Sequence, residues 1–161
     1  MGIRHATKSD LEAILAIYNH AVVSSTASFD LEPRTAEAEQ AWFAEHPDPY
    51  AVIVWEEDGV VAGWGSIGQA MIRAAYRVTG DLSVYVHSDH RRRGVGEAIL
   101  RELLAIARAR GFHSVTGFIS GENVASLGMV EKLGFVRAAW LAEIGRKFDR
   151  WLSVAIYQLF L

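Results

Sequence analysis

The stretch of this chain best suited to chemistry is Val84-Tyr85-Val86-His87-Ser88-Asp89-His90-Arg91-Arg92-Arg93-Gly94-Val95-Gly96. It reads as strand, turn, glycine-rich loop and helix. A helix start leaves several N–H groups without a partner, at the positive end of the macrodipole. Glycines at 94 and 96 let an anion approach those donors with no Cβ in the way, and Arg91, Arg92 and Arg93 stand just before them. The combination suits a diphosphate with a further phosphate nearby. It is not a Walker loop, which needs Gly-x-x-x-x-Gly-Lys-Ser/Thr. Nor is it a Rossmann loop, whose third glycine would fall where Ile99 stands.

The elements that must carry this loop follow from periodicity and punctuation. Ile3 to Ala6 reads as a short strand. Ser9 and Glu12 have capping-box spacing, so a helix is expected with Leu11, Ile14, Leu15, Tyr18 and Val22 on one face. Ser24 to Pro33 reads as a loop with Phe29 in it. Thr35 caps a second helix, through about Glu45, stopped by His46-Pro47-Asp48-Pro49. Tyr50 to Trp55 and Val60 to Ile67 form a hairpin around Asp58-Gly59, with Gly63 and Gly65 permitting close backbone approach. A loop leads to a long strand, Tyr76 to Val86. The helix from Gly94 to Arg110 has Val95, Ile99, Leu103 and Ile106 on one face and Gly111 at its end. A strand Ser114 to Ile119, a helix Val124 to Leu133 capped by Asn123, and strands Phe135 to Leu141 and Trp151 to Phe160 complete the chain. The order is βααβββαβαββ, an α/β mixed sheet with helices on its faces. The strand from Trp151 suits either a subunit contact or the sheet interior.

The chain has 161 residues, which suits a single domain, 1–161. Apolar residues make up 51% and charged residues 22%, which excludes a disordered chain. There is no cysteine, so a disulfide framework, a thiolate metal site and a cysteine nucleophile are all excluded. Sixteen basic against 19 acidic residues give a formal charge of -3, no sign of nucleic-acid or membrane binding. No apolar run approaches the length of a spanning helix, and residues 1–5 lack the apolar stretch of a signal peptide. A cytoplasmic location is expected. Six histidines show no convincing metal spacing; His87 and His90 read as solvated turn residues, and no metal is expected.

The spacing Arg91-x-x-Gly94-x-Gly96 resembles the acyl-CoA loop of the GNAT acyltransferase superfamily. The helix opened by Asn123-Val-Ala-Ser126 and closed by Glu131-Lys132-Leu133-Gly134-Phe135 resembles its second signature. Three further blocks are similar to phosphinothricin and methionine sulfoximine acetyltransferases. They are Ser25 to Pro33, Arg73 to Arg77 followed by Asp81 to Val86, and Lys147 to Trp151 with Gln158-Leu159. The resemblance implies a GNAT fold and acetyl-CoA as cosubstrate. It implies N-acetylation of the α-amine of a small amino-acid-like acceptor, and pairing as a homodimer. It places Val84, Tyr85, Val86, Arg91, Arg92, Arg93, Gly94, Val95, Gly96, Glu97, Asn123, Ser126 and Lys132 around the cosubstrate. Asp81 stands where the family usually has a catalytic Glu. Val130 replaces a Tyr acid, Phe148 a functional histidine, and Ala70 and Met71 a Trp and a basic residue.

On that reading a protonated amine must lose a proton, and Asp81 is the candidate base, directly or through water. The plainer roles for Asp81 are a turn cap after Gly80 or a pair with Arg77. The leaving thiolate, with a pKa of about 8.5 by analogy with Cys, needs little acid help, though Tyr85 could supply it. A backbone N–H near Val86 would meet the oxyanion. Arg73 and Arg77 offer a fork for a carboxylate or phosphinate, with Phe29, Tyr76, Leu82 and Ser83 around the acceptor. The rival functions are a non-catalytic acyl-CoA sensor, and acetylation of a polyamine, an aminoglycoside or a protein terminus. The basic segment 73–77 disfavours polyamines.

Overall fold

A computed structural model describes residues 1–161. The strands are β1 (Gly2–His5), β2 (Ala51–Glu57), β3 (Val60–Gln69), β4 (Thr79–Val86), β5 (Ser114–Ser120), β6 (Val136–Lys147) and β7 (Arg150–Phe160). The helices are α1 (Leu11–Ser24), α2 (Ala36–Ala44), α3 (Val95–Ala109) and α4 (Val124–Lys132). The expected order βααβββαβαββ is the observed one. The strands form one seven-stranded sheet in the order β1-β2-β3-β4-β5-β7-β6. Only β4 and β5 run parallel; every other neighbouring pair is antiparallel.

Each face of the sheet has its own core. On one face α3 lays Val95, Ile99, Leu103 and Ala107 onto Ile53, Ile67, Leu82 and Val115. This helix approaches closely because β3 has glycines beneath it. A Cβ on Gly65 would lie 2.6 Å from Ile99 Cγ2 and 2.9 Å from Leu103 Cδ1. Ile99 is fully buried, so truncating it to Ala would cost about 2–5 kcal/mol. On the other face α1 sets Ile14, Ile17, Tyr18 and Val22 against Val52, Val54 and Trp64. The hairpin turn forms as expected, with Asp58 and Gly59 both at positive φ.

Three expectations are corrected. The cap before α1 is not Ser9 with Glu12. The capping box is Thr7 with Asp10, whose carboxylate accepts from the Thr7 N–H at 2.7 Å and from the Arg4 guanidinium at 2.8 and 2.9 Å. Asp10 is buried and needs those partners, so a short 3-10 turn, Lys8–Asp10, precedes the helix. The strand does not begin at Tyr76. Residues Ala74–Val78 form a 3-10 turn, because β3 ends at Gln69 opposite Gly80 and offers no ladder beyond it. The strand from Val136 runs to Lys147, well past Leu141. Two register shifts, between Arg137 and Ala139 and between Leu141 and Gly145, carry an edge strand through residues that read as a turn. Of the two roles open to the strand from Trp151 the interior one is observed: β7 is paired to β5 on one side and β6 on the other.

Candidate active site

The site begins where β4 and β5 part. Their ladder is only three rungs long, Thr79, Gly80 and Asp81 against Ser114, Val115 and Thr116. Beyond Asp81 the strands diverge and a narrow channel of about 90 Å³ opens between them. Leu82, Ser83, Val84 and Tyr85 line one wall, and Gly117, Phe118, Ile119 and Ser120 the other. Leu100, Met129, Val130 and Phe135 close the α3 and α4 side, and Ala27 reaches in from the α1 side. Strand alternation orients the walls. The His87 N–H bonds Ala62 across β3, so the amides of Ser83 and Tyr85 also turn to β3. The N–H groups of Val84 and Val86 therefore turn toward the gap.

At the mouth of the gap lies the glycine loop. Gly94 has φ +82, with open space where a Cβ would stand. Gly96 has room for little more than a Cβ, which would touch Val86 at 3.5 Å and Met129 at 3.8 Å. The first backbone bond inside α3 is from Ala98 to the Gly94 carbonyl. The N–H groups of residues 92–97 consequently donate to nothing in the chain. Six consecutive free amides, flanked by exposed Arg91, Arg92 and Arg93, fit the diphosphate of coenzyme A. The Arg91 Nε donates to the Val86 carbonyl at 3.4 Å, which ties the loop to the end of β4.

Asn123 caps α4, its Oδ1 accepting from the Ser126 N–H at 3.2 Å, and both residues line the channel. The amide nitrogen of Asn123 is left to donate elsewhere. Glu97 and Lys132, both expected near the cosubstrate, pair with each other at 2.8 Å and lock the start of α3 to the end of α4. Lys132 and Arg101 hold the Glu97 carboxyl below its ordinary value.

Asp81 points to the face of the sheet that carries α1, with Ser83 and Tyr85 on the same side. It neither caps a turn nor meets Arg77; its Oδ1 accepts from the Thr116 hydroxyl at 3.0 Å. Burial pushes its carboxyl up to about 6, against the opposing effect of that hydrogen bond. The group is therefore mostly ionised at neutral pH and sits near the working pH of a base. Tyr85 is stacked on Trp64 at 5.0 Å and set edge-on to Tyr18 at 5.2 Å. Burial drives its hydroxyl well above the usual range, so it stays protonated, donating to the Ala27 carbonyl at 3.4 Å. Val130 is buried in the channel wall and supplies no proton.

The expected acceptor residues are more scattered. Leu82 and Ser83 line the channel. Arg73, Tyr76 and Arg77 lie exposed on or beside the 3-10 turn, and neither guanidinium has a carboxylate partner. Phe29 packs over β6, where a Cβ on Gly145 would meet its ring at 2.8 Å. Its loop is tied down on several sides. The buried Lys147 donates to the Ser28 carbonyl at 2.7 Å, and Tyr18 bonds Ser28 and Asp30. Thr26 bonds Ser120 at 3.1 Å, and Arg150 meets Glu122 beside it at 2.8 Å. The sequence reading missed Ala27, Leu100, Gly117 to Ser120, Met129 and Phe135 in the walls. Only the parallel pairing of β4 with β5 would have revealed the Gly117 to Ser120 wall. No group of three or more His, Asp or Glu is arranged to hold a metal.

A sheet parted between two parallel strands, with a free-amide helix start at its mouth, defines a coenzyme A-dependent acyltransferase. Comparison with known proteins agrees. Residues 14–135 match the model of the acetyltransferase (GNAT) family. The chain is 41% identical to the L-amino acid N-acyltransferase MnaT of Escherichia coli K12, over 99% of this chain and 93% of that one. It is 38% identical to an L-methionine sulfoximine/L-methionine sulfone acetyltransferase of Salmonella typhimurium, over 99% and 94%. It is 36% identical to the phosphinothricin N-acetyltransferase of Streptomyces viridochromogenes, over 97% and 85%. Among solved structures it matches a Salmonella typhimurium acetyltransferase described with its cofactor acetyl-CoA. That match has a TM-score of 0.94 at 38% identity, covering 99% and 92%. A Brucella melitensis ribosomal-protein-alanine N-acetyltransferase matches with a TM-score of 0.96 at 36% identity, over the whole of both chains. This chain belongs to the GNAT acetyltransferase family. The resemblance read from the Arg91 to Gly96 loop and the Asn123 helix is thereby borne out.

Proposed function

We propose that this protein transfers the acetyl group of acetyl-CoA to the α-amine of a small amino-acid-like acceptor such as methionine sulfoximine, methionine sulfone or phosphinothricin. The single observation that carries the reading is Asp81, a carboxyl raised to about 6 beside the point where the sheet opens. Its position is where a base would meet an acceptor amine approaching from the α1 side, directly or across one water. The free amides of residues 92–97, with Arg91, Arg92, Arg93 and Gly94 to Glu97, would hold the diphosphate and neighbouring phosphate. Val84, Tyr85 and Val86 would face the pantetheine arm on one side, and Asn123, Ser126 and Lys132 on the other. When bound, acetyl-CoA supplies the activated acyl group, and the protein supplies orientation and proton removal. Leu82 and Ser83 would border the acceptor, with Phe29, Arg73, Tyr76 and Arg77 reaching it from the rim. The acceptors for which relatives at 36–41% identity are named, amino acids, methionine sulfoximine or sulfone and phosphinothricin, support this acceptor class.

A homodimer in the cytoplasm is part of the same proposal. Phe118, Ile156, Leu141 and Val136 share the sheet face left bare beyond α1, and Phe118, Leu141 and Val136 are exposed there. No helix is long and apolar enough to cross a membrane.

The experiment is an acceptor screen with acetyl-CoA, following thiol release. It includes phosphinothricin, methionine sulfoximine, methionine sulfone, the ordinary amino acids and a peptide with an N-terminal alanine, the last because of the Brucella neighbour. Turnover on the sulfone, sulfoximine or phosphinothricin is expected. Firm acetyl-CoA binding with no turnover on any acceptor would favour the sensor reading instead.

A further inference from the structure

His46 lies in the turn after α2, its ring 4.6 Å from that of Trp42. Its Nδ1 is 2.7 Å from the Trp42 carbonyl. A carbonyl oxygen only accepts, so Nδ1 carries the proton and Nε2 presents a lone pair. Burial lowers the affinity of the ring for a second proton, although the Trp42 bond opposes this. Nε2 itself has no hydrogen-bond partner in the chain. It faces Gly68, where a Cβ would stand 3.3 Å away.

Gly68 lies directly opposite Asp81 in the β3–β4 ladder. Opposed positions share a sheet face, with Cβ positions about 5 Å apart. Residue 68 therefore has no side chain to stand between the Nε2 lone pair and Asp81. On its outer side His46 lines an open groove of about 890 Å³ between α1 and α2. The charged groups around the ring are Glu45 beside it, Arg34, and Lys8, Glu12 and Glu39 along the groove, with Asp81 opposite Gly68 on the next strand. Glu39 is already paired with Arg34 at 2.7 Å.

We propose that His46 is the second proton acceptor of the transfer: it takes, through water, the proton that Asp81 removes from the acceptor ammonium, and passes it to the groove. The inference rests on the reading of Asp81 as the base. The protons balance. An ammonium acceptor gives up two protons in becoming an amide. One accompanies the departing sulfur as a thiol, and the other must reach solvent. Asp81 receives that one as a carboxylic acid and returns to carboxylate as water relays it to Nε2. The Nε2 proton then passes to solvent at the groove, which leaves the ring as the Nδ1–H tautomer. His46 touches no reactant and acts through Asp81.

The test compares His46→Gln, Gly68→Ala and Asp81→Asn with the unaltered protein, using the fastest acceptor of the screen at saturating acetyl-CoA. His46→Gln should lower kcat about tenfold, leave the acetyl-CoA KM unchanged and raise the solvent isotope effect on kcat. Added imidazole should restore much of the rate. Gly68→Ala, which adds a side chain there but keeps the histidine, should lower kcat in the same sense. A His46→Gln rate equal to the original, with Asp81→Asn impaired, removes the relay and leaves Asp81 as base. An Asp81→Asn rate equal to the original removes the base reading and the relay together, as does failure to find any acceptor. Should His46→Gln not fold, an unchanged kcat in Gly68→Ala overturns the proposal.

Discussion

Thr116 donates its hydroxyl to Asp81 at 3.0 Å across the last rung that joins β4 to β5. The bond sits at the hinge of the site. Before it the two strands are paired; after it they separate into the channel. It also holds the carboxyl lower than burial alone would leave it.

Asp81→Asn keeps the volume and an oxygen for Thr116 but cannot take a proton. It should lower kcat/KM about 100-fold with acetyl-CoA affinity unchanged. In the original protein the acceptor amine and Asp81 both need to lose a proton. The slope of log kcat/KM against pH should therefore steepen below about 6, the raised value of Asp81. The variant should lack that steepening.

Thr116→Val removes the hydrogen bond that favours the ionised carboxyl. The Asp81 pKa should move up from about 6, and the steepening of the pH profile with it. Thr116→Ser should restore the original profile. Profiles recorded from pH 5 to 9 decide the matter.

The same carboxyl has a stability consequence. Its folded value of about 6 lies above the ordinary 3.8, so the folded state binds the proton more tightly than the unfolded one. Stability is then lost as pH rises from about 4 through 6, amounting to roughly 3 kcal/mol above pH 7. Asp81→Asn should stabilise the protein by about 1–3 kcal/mol at pH 8 and by little at pH 4.5, while losing activity. Urea unfolding at the two pH values measures this.

Lys147 is buried, and its ammonium has one partner, the Ser28 carbonyl. Burial lowers its pKa, yet the bond anchors the loop that carries Phe29 and Ala27 beside the channel. Lys147→Met should speed amide exchange at residues 25–30 and raise the acceptor KM about threefold or more, with acetyl-CoA affinity unchanged. An unchanged KM would show that the loop does not border the acceptor.

The sequence was most legible where a property is local. Gly94, Gly96, the three arginines and the Asn123 cap declare themselves within a few residues, and each lies where the reading put it. Element order was legible because the helices and strands carry strong periodicity. The harder features depend on partners distant in sequence. The Thr7 and Asp10 capping box displaced Ser9 with Glu12, held by Arg4 on the preceding strand. Tyr76 could not extend β4 because β3 ends opposite Gly80. The channel wall from Gly117 to Ser120 exists only because three rungs, 35 residues apart in the chain, pair and then stop. His46 punctuates a helix in the sequence; its approach to Gly68 is a tertiary fact.

The central claim is that the free amides of residues 92–97 grip the diphosphate of coenzyme A while its arm enters the gap between β4 and β5. A crystal structure with bound coenzyme A tests it most directly. The account predicts diphosphate oxygens within hydrogen-bond distance of those N–H groups, and the thiol end beside Val84 and Val86. Coenzyme A bound on another surface, or a loop at 92–97 left free of it in the complex, would contradict the account.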